Sequence, residues 1–549
     1  MAVREMQIQA NIIDIPNREI FFGELTVQDG IIQSIRKREG QSNRYVLPGF
    51  VDAHVHIESS MLIPSEFARM AVVHGTIATV SDPHEIANVL GIDGVKYMIA
   101  NGNRVPFKFS FGAPSCVPAT RFETAGAVIG VDGVRELLEM PEIRYLAEMM
   151  NYPGVIQDDE EVHAKLHVAK QLNLPIDGHA PGVRGADVEK YIQAGISTDH
   201  ECVRYDEGLE KLRLGMKILI REGSAAKNFA ALIKLLSDHA DQMMFCSDDK
   251  HPDDLIEGHI NQLVSRAIGE GCELFDVLRA ACINPVEHYG LPVGILREGD
   301  PADFIVTESL KDFTIKETYI DGQLVAKNGA TLIKSVPANI PNQFNIGSVA
   351  PSAFKISARG RDVLVIRAID GELFTDSFVT EANFVGDRIS ADLDQDILKI
   401  AVVNRYEDAP VAVALIQGFG LNGGAIASCV GHDSHNIIVV GADDTSMAAA
   451  VNLVVENRGG ISAVSGEESK VLPLPVAGIM TNADGYETAK LYAEIDRYAK
   501  EQLGTDLTSP FMTLSFMALL VIPSLKLSDQ GLFDGTKFAF KNLVREPTN

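Results

Sequence analysis

The chain has 549 residues, 46% hydrophobic and 22% charged, enough for roughly two to four domains with sizeable cores. Its formal net charge of −27 excludes a nucleic-acid partner, since phosphate would be repelled, and favours a small neutral or weakly basic substrate. Six scattered cysteines without a Cys-x-x-Cys pair exclude a thiolate zinc cluster of the usual spacing and give no disulfide framework.

The amino end, Met1 to Met6, lacks the basic-then-apolar build of a signal peptide. The apolar stretch Phe516–Pro523 falls well short of the roughly 20 residues that a bilayer span takes. A soluble, cytoplasmic protein without membrane contact is expected.

In chain order, Ile8–Ile13, Glu24–Val27 and Ile31–Ile35 carry the alternating, β-branched signature of short strands, with Asp29-Gly30 as a hairpin turn. From Leu47 to Leu291 strand-like runs alternate with helical stretches. The strands are read at Phe50–His54, Ile77–Ser81, Lys108–Phe111, Tyr145–Glu148, Pro175–His179, Ile196–His200, Lys217–Ile220 and Met243–Ser247. Helices are read at Asp159–Leu172 and Asn228–His239 among others. Eight such units in this span match a (β/α)8 barrel, in which chemistry gathers at the carboxyl ends of the strands. Asp303–Thr307, Ile315–Ile320 and Gln323–Ala326, with an Asp321-Gly322 turn, return to the first texture. The expected division is therefore a small β-sandwich domain from 1–47 and 292–345, a barrel from 48–291, and an α+β domain from 350–549. In that last domain strands are read at Val363–Ile369, Ile397–Val403, Pro410–Leu415 and Ile437–Gly441, with helices at Thr445–Asn457 and Thr488–Gln502.

Seven of the eight barrel runs end in groups able to do chemistry; the third, ending Gly112-Ala-Pro-Ser115, does not. The first ends in His54-Val55-His56, and residues two apart on a strand point the same way, so both imidazoles can share one ion. The second ends in Asp82-Pro83-His84-Glu85, the fourth in Glu148, the fifth in His179, the sixth in His200-Glu201. The seventh ends in Arg221-Glu222 and the eighth in Ser247-Asp248-Asp249. Four histidines and two carboxylates without sulfur suit a pair of divalent transition ions. The simplest assignment gives His54, His56 and Asp248 to one ion and His179 and His200 to the other, with Glu148 bridging. Manganese is the first expectation; iron and zinc suit the same donors. His432 and His435, before a strand of the third region, either reach over the barrel mouth or bond locally, and are not read as metal ligands.

This pattern resembles the amidohydrolase superfamily. Longer stretches resemble the adenine deaminases in particular: Pro48–Met61, Val80–Val89, Gly178–Gly182, Ile220–Asn228, Cys246–Asp248, Gly431–Gly441 and Ser509–Phe516. The resemblance implies hydrolysis of adenine to hypoxanthine and ammonia in purine salvage, and a homodimer or larger assembly. A metal-bound hydroxide is then the nucleophile, and Asp248 moves its proton to the departing amine. Glu85 or Glu148 protonates a ring nitrogen, with Glu85 preferred because a bridging carboxylate is less free to move. Ser81, Asp82 and Arg221 are candidates to meet the purine edge, although an Asp-Pro turn and an Arg-Glu pair also have structural uses. Adenosine or a modified adenine remains open as substrate. A cyclic-amide hydrolase with a carbamylated lysine is disfavoured, since the fourth run offers Glu148 and no lysine. A cytidine deaminase lacks its Cys-x-x-Cys here, and a non-catalytic scaffold would be expected to have lost ligands.

Overall fold

The computed structural model describes residues 5–357 and 360–544, so the outermost residues of the two flanking regions lie outside the described range. The chain opens with β1 (Glu5–Asp14), β2 (Glu19–Gln28), β3 (Ile31–Lys37) and β4 (Tyr45–Pro48). Then come β5 (Phe50–Val55), β6 (Thr76–Ser81), β7 (Lys108–Ala113), β8 (Ile143–Met149), β9 (Ile176–Gly178), β10 (Thr198–Asp199), β11 (Lys217–Arg221) and β12 (Met243–Cys246). They are followed by β13 (Phe304–Thr307), β14 (Ile315–Ile320), β15 (Gln323–Lys327) and β16 (Ala330–Thr331).

Strands β5 to β9 form one parallel sheet and β10 to β12 another. Backbone bonds close both seams: Ser197 N donates to Ile176 O at 2.9 Å, and Asp248 N to His54 O at 2.9 Å. The result is an eight-stranded (β/α)8 barrel, with helices such as Pro64–Ala71, Val131–Leu138, Glu160–Gln171 and Tyr205–Arg213 between strands. Both faces of these strands are covered, so they read as nearly continuous apolar runs; every residue of β5 and β6 is buried. Gly178 lets β9 approach β10, since a Cβ there would stand 2.3 Å from Thr198 O.

The strands flanking the barrel merge into one sheet, in the order β16-β15-β14-β13-β4-β1-β2-β3. It curls on itself around Ile8, Ile12, Leu25, Val46, Phe304 and Val306, and Ile32 N donates to Asp300 O at 2.9 Å. Both hairpins turn through two left-handed residues, Asp29 and Gly30 (φ 51° and 82°) and Asp321 and Gly322 (φ 48° and 71°), the demand of a type I′ turn that Asp-Gly meets.

The expected helix Asp159–Leu172 forms as Glu160–Gln171, with the Asp159 side chain accepting from Val162 N. The stretch Asn228–His239 departs from expectation: two single turns flank a 3-10 turn at Ile233–Leu235. Asn228 does not cap it because its side chain is spent elsewhere, accepting from Arg221 N and donating to His200 O.

After the barrel lies a mixed sheet of eight strands between Asp362 and Pro473, carrying helix Asp444–Glu456. Helix Gly485–Leu503 leans on the barrel. Arg69 Nη1 reaches Asp484 Oδ2 at 2.7 Å, Glu66 Oε2 accepts from Gly485 N at 3.0 Å, and one apolar core runs from Phe67 and Met70 to Tyr492 and Phe511. Among the described residues no helix is long and apolar enough to cross a membrane.

Candidate active site

The strand ends converge on one buried cluster. His54 Nε2 and His56 Nε2 lie 3.2 Å apart, and Asp248 Oδ1 is 3.4 Å from the first and 3.2 Å from the second. Asp248 reaches them from a left-handed backbone (φ 55°), a conformation Asp tolerates better than most residues. Glu148 stands between two groups. Its Oε1 is 3.3 Å from His56 Nε2, while its Oε2 is 2.9 Å from His179 Nδ1 and 3.3 Å from His200 Nε2. Glu201 joins the second group, with Oε1 3.5 Å from His179 Nδ1 and 3.4 Å from His200 Nε2.

These separations suit cations. Ligands at about 2.0–2.1 Å from one ion at tetrahedral angles stand about 3.3 Å from each other. Two buried ring nitrogens facing each other at 3.2 Å gain a shared partner from such an ion. The donor set is nitrogen and oxygen only, which fits divalent transition ions. Neighbours hold these histidines in place: Asp82 O faces His56 Nδ1 at 3.2 Å, and Tyr191 hydroxyl accepts from His179 N.

Charge is arranged around the cluster with equal care. Arg221 is buried, its Nη1 2.5 Å from Glu201 Oε1 and 2.7 Å from Asp248 Oδ2. Burial would raise both acids, but Arg221 and the imidazoles hold Asp248 well below the usual range and bring Glu201 to about 2. Glu148 is likewise held well below its usual value, His179, His200 and His56 outweighing burial. Further out, Lys211 Nζ binds Asp199, Glu207 and Ala180 O beneath the segments that carry His179 and His200.

The residues expected at the purine edge are placed unevenly. Arg221 lines the cavity, but both its terminal nitrogens face carboxylates. Asp82 takes Glu148 N and His84 N on its two oxygens and is not part of the cavity wall. Ser81 Oγ pairs with Thr79 Oγ1 at 2.8 Å and also lies outside that wall.

Opposite the cluster the cavity is closed by residues from beyond the barrel: Leu373, His432, Asp433, Phe516 and Leu519. The free space within it is small, about 30 Å³. His432 and His435 both reach Glu85, through His432 Nδ1 to Oε1 and His435 Nε2 to Oε2. Burial opposes the charge on Glu85, yet His432, His84 and His435 hold the carboxyl well below its usual value.

Residues 45–325 match the amidohydrolase family, and residues 372–539 match the adenine deaminase C-terminal domain. The adenine deaminase of Sulfurovum sp. (strain NBC37-1) is 57% identical over 540 residues, spanning 98% of this chain and 100% of that protein. That of Salinibacter ruber is 55% identical over 534 residues, 97% of this chain and 98% of its own. The chain belongs to the adenine deaminase family. Among solved structures, a β-aspartyl dipeptidase from Fervidobacterium islandicum AW-1 is 16% identical with a TM-score of 0.45, covering 60% of this chain and 98% of that one.

Within this adenine deaminase fold, sequence reading gave no role to several residues that the structure draws to the site. Glu201 follows a proposed ligand directly. Asp52 shares the face of His54 and His56 by the same two-residue spacing, and its carboxylate accepts from His54 N and Ser247 N. Asp249, Glu58 and Asp433 carry no periodic signal. Burial raises Glu58 to about 7, and Asp433 reaches the wall on a loop that only the tertiary fold brings there.

Proposed function

We propose that the chain hydrolyses adenine to hypoxanthine and ammonia in purine salvage, using two divalent metal ions. What carries the reading is the closure of a buried histidine–carboxylate cluster by the very region that matches the adenine deaminase C-terminal domain.

His54, His56 and Asp248 would hold one ion and His179 and His200 the other, with Glu148 within reach of both groups and Glu201 beside the second pair. When bound, the ions supply Lewis-acid activation of water near neutral pH. The residues divide the rest of the work. Asp248 takes the proton of the attacking water on Oδ1 and passes it to the departing nitrogen, while Arg221 fixes Oδ2 and keeps the carboxylate ionised at rest. Glu85 lines the same cavity, where a ring nitrogen must gain a proton before carbon 6 becomes electrophilic. Glu148 is committed to three histidines and, like Glu85, is held ionised by them. Asp82 sets the position of Glu148 and His84, and Leu373, Phe516 and Leu519 exclude bulk water.

Manganese is the proposed metal. The cytoplasm is the proposed compartment, in keeping with six free thiols, and a homodimer or larger the proposed assembly. The proposed domains are 1–47 with 292–345, 48–291, and 350–549. Ammonia release from adenine, with adenosine and dihydroorotate in parallel and protein reconstituted with Mn, Fe or Zn, tests the reading. Turnover of another substrate beside silence with adenine under every metal would overturn it.

A further inference from the structure

His432 and His435 lie in the loop between strands Ala425–Ser428 and Ile437–Gly441, outside the barrel, and the reaction above leaves them unused. Both imidazoles meet one carboxylate. Gly431 N donates to His435 Nδ1 at 3.2 Å, so the His435 proton sits on Nε2, against Glu85 Oε2. His432 gives Nδ1 to Glu85 Oε1, and its Nε2 has no hydrogen-bond partner among the described residues although the residue is 3% exposed. That ring is part of the cavity wall, with Nε2 3.9 Å from Asp249 Oδ1 and the ring 5.3 Å from that of Phe516. A buried ring nitrogen left without a partner calls for a group opposite it, and here the open side is the cavity.

Glu85 is poorly placed to give a proton away. Its Oε1 faces His432 and, at 3.2 Å, His84 Nε2, while its Oε2 faces His435. Ringed by three imidazoles, it is built to stay ionised.

We propose that His432, oriented by Glu85, is the catalytic acid that protonates the purine ring, and that His435 is a positioning residue holding Glu85. The inference rests on the adenine reading. It also gives the C-terminal region a chemical part in the reaction. Doubly protonated His432 gives its Nε2 proton to a ring nitrogen, where it stays in hypoxanthine. Water supplies the oxygen on carbon 6; one of its protons leaves with ammonia, and the other returns through solvent to His432. The sum is adenine plus water giving hypoxanthine plus ammonia. The groups facing His432 are Glu85 from the barrel side, Asp249 after β12, Asp433 and His435 of its own loop, and more distantly His251. Burial disfavours the charged ring, but Glu85 and Asp249 outweigh it and raise His432 to about 9.

The test compares His432→Gln, His435→Gln and Glu85→Gln in metal-loaded, full-length enzyme, reading kcat, KM and the pH profile of kcat/KM. Hypoxanthine binding by calorimetry is measured alongside. His432→Gln is expected to lower kcat by about 100- to 10,000-fold, to leave hypoxanthine binding within about fivefold, and to erase the basic limb of the profile. His435→Gln is expected to keep that limb but move it to lower pH, with a smaller loss of kcat. An active wild type with His432→Gln within about threefold of it, or with the basic limb intact, overturns the proposal. Should His432→Gln fail to fold, Glu85→Gln decides: a basic limb moved to lower pH supports it, and an unmoved limb overturns it. A wild type silent with adenine overturns the substrate reading instead.

Discussion

Lys211 offers the sharpest test of how the edge that carries His179 and His200 is held up. Its ammonium is fully buried and binds Asp199 Oδ2 at 2.6 Å, Glu207 Oε1 at 2.8 Å and Ala180 O at 2.8 Å. Asp199 in turn accepts from Glu201 N and Ala180 N, and Glu207 from Gly182 N, so one cation ties together the segments after β9 and β10. Lys211→Met keeps the bulk of the stem but leaves two carboxylates buried with no cation between them. Breaking a buried pair from one side costs about 3–5 kcal/mol, and the two acids here place the loss in that range. Lys211 holds Asp199 well below the ordinary value against the pull of burial. A depressed carboxylate lends stability above its unfolded value of about 3.9 and loses it as pH falls through the folded value. In the variant Asp199 loses that depression, so the deficit is greatest near neutrality and shrinks as acid protonates it. The chain has no tryptophan, so urea unfolding is followed by far-UV circular dichroism, with hydrogen exchange read on peptides spanning 176–202. A loss below about 1 kcal/mol at pH 7, or one that does not shrink with acid, would refute the reasoning.

Asp248→Asn keeps Arg221 paired to Glu201 and is expected to fold normally while losing about 100- to 10,000-fold in ammonia release; full activity would remove Asp248 from proton transfer. Lys526, fully buried and without a carboxylate partner among the described residues, donates to Leu373 O at 2.6 Å and Phe516 O at 2.9 Å, and burial pushes it down to about 7. Its folded value lies below the unfolded one, so stability rises with pH between about 7 and 10, by up to about 1.4 kcal/mol per unit. Lys526→Met should flatten that slope in urea midpoints at pH 7 and 9, and parallel curves would count against it. Stripping metal should abolish ammonia release and lower the thermal midpoint, with two equivalents of Mn per chain restoring both; saturation at one equivalent would discard the paired site.

The barrel was legible because its strands are short apolar runs that end in reactive groups. The runs Phe50–His54, Pro175–His179 and Met243–Ser247 correspond to β5, β9 and β12, and each delivers its side chain to one cluster. The His-x-His spacing alone placed two rings on one face. Contacts between distant segments left no such trace. Nothing near Glu85 announces that residues 347 positions away will clasp it, and the apolar roof from Leu373 and Phe516 reads locally as ordinary core. Arg221 illustrates a different limit, since one residue type serves substrate and buried carboxylate equally well in sequence. Only the positions of Glu201 and Asp248 separate the two uses.

The seam that closes the barrel is also the one that aims His54, His56 and Asp248, the first proposed ligands. Asp52 accepts from His54 N and Ser247 N on one oxygen, and meets Ser247 Oγ and His259 Nε2 on the other. His259 is fixed from its far side by Thr76 Oγ1 at 2.8 Å. Beside that network, His56 N donates to Asp248 O and Asp248 N to His54 O. Strand pairing by itself is weak at this seam, where among the described residues Val55 of β5 forms an isolated bridge with Asp248, just past β12. A buried carboxylate with four donors supplies what the ladder lacks, and it does so one residue pair below the ligands. The relative placement of His54, His56 and Asp248 is therefore set by the same bonds that complete the fold, which is why a site of this kind belongs on strands rather than on the loops above them.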